Sequence, residues 1–174
     1  MKYDLYDYCI ELLKERGVTI QDMADLVLFS QKKYYPELTN EDASYAIQRV
    51  LKKREVQNVI MTGIELDKLA EEKKLSAPFQ KIMEKDNPLY GIDEVIVFSI
   101  LNLYGSIGFT NYGYLDKVKP GIIRKLDSEE GGHCNTFLDD LVGAVAGRDG
   151  VLAQAVDGLG EVQVDAATHH PLVA

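Results

Sequence analysis

The feature that most limits how this chain can fold is a stretch with no charge. From residue 95 to residue 115, between Glu94 and Asp116, there are twenty-one consecutive residues without Asp, Glu, Lys or Arg. That length would span a bilayer. The run also carries Ser99, Asn102, Ser106, Thr110 and Asn111, and Gly105, Gly108 and Gly113 divide it into pieces of about ten residues. A central helix buried on all sides, followed by a second buried helix, is the expectation. A membrane hairpin and an oligomer-interface helix are the alternatives.

Around this run the pattern is helical throughout. Leu5, Tyr8, Cys9, Leu12 and Leu13 follow the i, i+3, i+4 stripe, and Gly17 ends it. Thr19 is placed to cap a second helix carrying Met23, Leu26, Val27, Ser30 and Tyr34, and Thr39 a third through Ala43, Ile47, Val50 and Leu51. A fourth takes Val56, Val59, Ile60, Gly63, Ile64 and Ala70, and a short fifth begins at Ser76 and Pro78. Pro120 opens a helix with Ile122, Ile123 and Leu126, and Asn135 or Thr136 caps a last one over residues 137–146. No segment before Pro88 alternates with period two; the only such alternation, GLGEVQVD (158–165), falls near the C-terminus and is compatible with a short strand. The expected fold is all-α, a compact multihelical single domain of eight or nine helices around a buried central helix. Residues 1–148 form the domain. Residues 149–174, with no Lys, Arg, Phe or Tyr, form a C-terminal appendage that is irregular or derived from an expression tag.

Composition narrows function. With 174 residues and 46% hydrophobic side chains the chain can bury a core unaided, and its net charge of −9 repels nucleic acid. The basic Lys52-Lys53-Arg54, within a helix–turn–helix-like run from Thr19 to Lys74, is better explained as a solvated helix face, so no nucleic-acid partner is expected. Two cysteines 125 positions apart and no basic-then-apolar leader suggest a cytoplasmic protein. Gly-Lys never occurs, which excludes a P-loop, and GxSxG and GxGxxG are missing. Cys134 has Asp140 where a thiolate phosphatase needs Arg, and is read as structural; His133 is read as a loop residue near the site. No CxxC or HxxxH spacing supports zinc.

What remains is carboxylate chemistry. Asp93-Glu94 precedes the uncharged run, Asp116 ends it, and Asp139-Asp140 lies between Leu138 and Leu141. Adjacent helical residues diverge by about 100°, so each pair is expected to direct one acid inward. Converging carboxylates must protonate or bind a cation, since two like charges at 4 Å cost about 4 kcal/mol at an effective dielectric near 20. All-oxygen ligation favours Mg²⁺. The i, i+3 spacing sets Asp116 beside Lys119 and Arg124 beside Asp127, cations suited to phosphate oxygens. The plainer alternative is that these acids complement helix dipoles.

The motifs YLDKVKPGIIRKLD (114–127), Gly131-Gly132, FLDDLVG (137–143) and the upstream GIDE (91–94) resemble the phosphatidylglycerophosphatase A family, in particular its soluble YutG-like branch. The resemblance implies a Mg²⁺-dependent phosphomonoesterase that removes the terminal phosphate of phosphatidylglycerophosphate, or acts on a related soluble phosphate ester. It implies a multihelical fold with one central helix, matched here to the run beginning at Val95. By the same resemblance Asp93, Glu94, Asp116, Asp139 and Asp140 are metal-site residues, Asp116, Asp139 and Asp140 also catalytic, and Lys119 and Arg124 bind phosphate. The expected partner is a phospholipid head group or small phosphate ester, with peripheral contact at the inner face of the membrane and homo-oligomerisation through an apolar face. The chain departs from the family pattern at Gly113, where the family has Arg, and lacks the N-terminal Gly-Thr-x-Gly-Ser motif. A catalytically silent helical interaction or regulatory protein therefore stays open as the alternative.

Overall fold

The computed structural model describes residues 4–85, 90–128 and 133–147. The proposed appendage at 149–174 and the Gly131-Gly132 motif lie outside the described residues. Within them the chain forms α1 (Leu5–Glu15), α2 (Ile20–Gln31), α3 (Asn40–Leu51), α4 (Arg54–Glu71), α5 (Ala77–Glu84), α6 (Ile92–Leu101), α7 (Gly105–Val118), α8 (Ile122–Asp127) and α9 (Leu138–Ala146), with no strand. The all-α expectation holds.

Local chemistry sets several boundaries. Thr19 and Asp22, and Thr39 and Asp42, form reciprocal capping boxes that start α2 and α3. α2 stops at Gln31, short of the expected Tyr34, which lies in the following turn and is exposed.

The central helix is not the one expected. Every residue of α9 is buried, and α2, α3, α4, α6, α7 and α8 all pack on it. Gly63 of α4 makes this possible: a Cβ there would fall 2.6 Å from Leu141 Cδ1 and 2.9 Å from Phe137 Cβ, so only glycine lets α4 lie this close to α9. The uncharged run instead forms the hairpin α6–α7, buried on one face through Val97, Ile100, Leu101, Tyr112 and Leu115, while Val95 (54% exposed) and Ile107 (45%) face outward. Loss of charge marked a surface without ion pairs, whereas α9, although it carries two aspartates, is enclosed because small residues let six helices approach it. At about 1.5 Å per residue, α6 is about 15 Å long, half a bilayer core. Among the described residues no helix is long and apolar enough to cross a membrane.

Candidate active site

Three separate stretches deliver acids to one place. α7 ends at Val118, and Lys119 turns the chain with φ 48° and ψ 56°. This left-handed conformation costs a non-glycine residue about 1–2 kcal/mol. Pro120 disfavours a further helical turn at Lys119. The turn directs the ammonium into a ring of carboxylates: Lys119 Nζ lies 2.9 Å from Asp116 Oδ1, 3.2 Å from Asp127 Oδ1 and 2.8 Å from Asp139 Oδ2. Burial lowers the ammonium's proton affinity, but Asp139 and Asp116 outweigh it and hold the pKa far above the usual lysine range.

Asp139 and Asp140 are both buried, at 7% and 6% exposure, against the expectation that one of the pair would point away. Enclosure of α9 on all sides is the reason. Tyr112 Oη donates to Asp140 Oδ1 at 2.7 Å. Burial first, then the charge of Asp139, pushes the Asp140 carboxyl up to about 8, against an opposing pull from Tyr112 and Lys119. Asp93, at the start of α6, is also shifted upward, mainly by burial; Lys119 favours its charge and Asp116 opposes it. Asp93, Asp116, Asp139 and Asp140 thus feel one another around a single lysine. Glu94 is exposed, its backbone N–H bonded to Asp93 Oδ1. Arg124 is exposed too, and among the described residues no ion pair joins it to Asp127, whose partner is Lys119. The structure brings these two predicted residues no closer to the cluster.

The helix carrying Asp139 and Asp140 is anchored by a residue the sequence reading passed over. Neither Asn135 nor Thr136 caps α9: Asn135 bonds Leu126 O and receives Arg16, and Thr136 bonds Met83 O. Instead the fully buried Asp67 of α4 accepts from Phe137 N at 3.2 Å and Leu138 N at 3.1 Å. Burial raises the Asp67 carboxyl well above the ordinary range despite these bonds. Its signal was visible: Ile60, Ile64 and Asp67 share the apolar stripe of α4, and an acid on such a stripe needs partners. Nearby, Arg16 ties Glu71 (2.7 Å) to Asn135 and Cys134 O. Cys134 Sγ lies 3.4 Å from Thr136 Oγ1, and burial raises its pKa, which fits the structural role expected of it. A cleft of about 360 Å³ opens beside the acids, with Asp127, Asp139, Ser128, His133 and Asn135 in its wall.

A profile of the family described as phosphatidylglycerophosphatase A matches residues 15–153. The chain belongs to this family. The phosphatidylglycerophosphatase A match is accompanied by similarity to the Bacillus subtilis protein YutG, 61% identical over 134 residues that make up 77% of this chain and 81% of YutG. Among solved structures, a protein of unknown function from Bacillus stearothermophilus superposes with a TM-score of 0.84 at 51% identity, covering 89% of this chain and 97% of that one. The low temperature requirement C protein from Listeria monocytogenes gives a TM-score of 0.84 at 49% identity, covering 90% and 99%.

Among the described residues no three Asp, Glu, His or Cys side chains form a ready metal-binding group. The donor chemistry is nonetheless of the kind Mg²⁺ takes: every donor in the cluster is a carboxylate oxygen, one lysine faces several acids, and neighbouring acids add to burial in raising Asp93 and Asp140.

The Asp140 shift has a stability consequence. Its folded pKa of about 8 exceeds the ordinary 3.8, so below pH 4 both folded and unfolded chains carry the proton. As pH rises from about 4 to about 8 the unfolded chain releases it first, and stability falls across that window. In metal-free protein Asp140→Asn is expected to flatten the decline, measured as the urea midpoint against pH; Asp67 and Asp93, shifted the same way, keep part of the slope. An unchanged slope would contradict the assignment.

Proposed function

We propose that this chain is a divalent-cation-dependent phosphomonoesterase acting on phosphatidylglycerophosphate or a closely related phosphate ester. The observation that carries the proposal is the meeting of Asp116, Asp127 and Asp139 on the Lys119 ammonium, with a proton-holding Asp140 alongside. Family membership supports the reaction class.

In this reading Asp93, Asp116 and Asp139 would hold Mg²⁺, which would supply charge neutralisation to a dianionic phosphate that the acids otherwise repel, while Asp140 keeps its proton. Lys119 has three N–H bonds, matched by its three carboxylate partners. It binds a phosphate oxygen only when one of them turns to another cation, so substrate binding requires the divalent ion. Asp139, oriented by Lys119, takes the proton of the attacking water as the new P–O bond forms. The P–O bond to the alcohol breaks, and Asp140, fixed by Tyr112, gives its proton to the departing oxygen. The cleft beside Asp127 and Asp139, whose wall mixes polar and apolar side chains, receives the alcohol portion.

A second reading, a silent member of the family that acts by interaction, is favoured by Gly113, whose position is open and offers no cationic side chain where the family has Arg. Release of inorganic phosphate from phosphatidylglycerophosphate in detergent and from soluble monoesters, with Mg²⁺ or EDTA, separates the two. Mg²⁺-dependent, EDTA-sensitive release from at least one ester is expected. No release from any of them with Mg²⁺ or Mn²⁺ would leave the second reading standing.

A further inference from the structure

We infer that Arg16 is a positioning residue for the proposed reaction, holding Asp127 and Asp139 at the spacing at which both reach Lys119; the inference rests on the phosphomonoesterase reading. In the sequence Arg16 is a basic residue at the end of α1, just before Gly17, where a cation complements the helix dipole. In the structure its side chain is turned inward and only 4% exposed. Nη1 donates to Glu71 Oε1 at 2.7 Å, and Nη2 donates to Cys134 O at 2.6 Å and to Asn135 Oδ1 at 2.9 Å.

Asn135 carries that hold to both acids. Its backbone carbonyl accepts from Leu138 N at 3.1 Å and Asp139 N at 3.5 Å, in the turn that delivers Asp139. Its side-chain Nδ2 donates to Leu126 O at 3.0 Å, one residue before Asp127. One amide thus clamps the start of α9 to the end of α8, and Arg16 fixes the orientation of that amide. Glu71 braces the same segment, accepting from Cys134 N at 2.8 Å. With the two helix ends held, Asp139 Oδ2 and Asp127 Oδ1 meet the Lys119 ammonium at 2.8 Å and 3.2 Å.

Joining α1 to α4 does not account for Arg16. Lys68 and Glu15 already pair the same two helices at 2.8 Å in more exposed positions. Arg16 instead keeps a charge out of water, with Nε lacking a hydrogen-bond partner among the described residues. A buried ion pair is a poor source of stability, and apolar side chains of like volume often serve as well. An apolar side chain cannot bond Glu71, Cys134 O and Asn135 at once, whereas the planar guanidinium fork does.

Arg16→Lys keeps the charge without the fork, and Asn135→Ala removes the link between the helices; where the first does not fold, the second decides. In variants with unchanged circular dichroism, each is expected to lower kcat about 10–10²-fold, the scale for a displacement of about 1 Å, with KM changed less than about threefold because neither substitution removes a substrate contact. The double variant should be no worse than the more impaired single one, since both cut the same route. In the metal-free chain, solvent exchange of the Lys119 ammonium protons, followed by heteronuclear NMR, should quicken about tenfold as its carboxylate partners loosen. Ile47→Ala, in the core of α3, lowers stability by another route and should change neither readout. Unchanged Lys119 exchange in the folded variants overturns the inference whatever the turnover, and so does an equal change in Ile47→Ala. Quickened exchange with undiminished kcat overturns it as well, because the clamp would then not serve the reaction. If the unmodified chain releases no phosphate from any ester, the phosphomonoesterase reading falls, and Lys119 exchange alone decides whether Arg16 sets the carboxylates.

Discussion

Asp139→Asn is expected to lower Mg²⁺-dependent phosphate release about 10²–10⁴-fold, the range for loss of a general base. The substitution keeps shape and volume but removes the charge that holds Lys119 at 2.8 Å and raises the proton affinity of Asp140. Its effect therefore reaches beyond one residue: Lys119 loses a partner, and Asp140 releases its proton at lower pH. The pH profile of kcat/KM should move its basic limb downward as kcat falls, which a purely structural defect would not do. Retained circular dichroism and a urea midpoint near that of the unmodified protein would show that folding is intact. Undiminished turnover with wild-type pH dependence would remove Asp139 from the chemistry.

Asp67→Ala is expected to be among the most destabilising single substitutions in the chain. Two backbone N–H groups at the start of α9, those of Phe137 and Leu138, would lose their acceptor in a place water does not reach. Each orphaned group costs about 1–3 kcal/mol, so a loss of about 3 kcal/mol, or roughly 5–10 °C in Tm, is expected. Asp67→Asn retains an acceptor oxygen and should recover much of it. Because Asp139 and Asp140 follow within one turn, the alanine variant should also lose turnover at temperatures where it remains folded. A chemical denaturation series on the three proteins, with phosphate release at each temperature, checks both parts. Equal stability of Asp67→Ala and the unmodified protein would mean that α9 is held by packing alone.

Helix periodicity carried most of the fold. The i, i+3, i+4 stripes and the Thr19 and Thr39 capping signals are local, and local physics decided them. What misled was the equation of uncharged with buried. Residues 95–115 have one enclosed face and one outward face, whereas α9 reads as an ordinary short helix yet is enclosed on all sides. Enclosure depends on how closely neighbours approach, and that depends on Gly63 meeting Phe137 and Leu141, a relation between residues some seventy positions apart.

The acids of the candidate site were legible as types in apolar settings, but their partners were less so. Lys119 pairs with Asp116 at the expected spacing. It also reaches Asp127 and Asp139 because its left-handed backbone and Pro120 turn the chain, and helical spacing cannot foresee this. Helical spacing likewise pairs Arg124 with Asp127, whereas Asp127 bonds Lys119. Tyr112, on the buried stripe with Gly108 and Leu115, carries no sequence signal for the bond it supplies to Asp140.

Acids from three distant stretches are proposed to share one divalent cation. Calorimetric titration of Mn²⁺ or Mg²⁺ into the metal-free chain tests it most directly. A saturable site is expected, with protons released on binding, tighter at neutral pH than in mild acid as Asp93 gives up its proton, and lost in Asp139→Asn. No binding of either ion, or a site that survives Asp93→Asn, Asp116→Asn and Asp139→Asn alike, would contradict it.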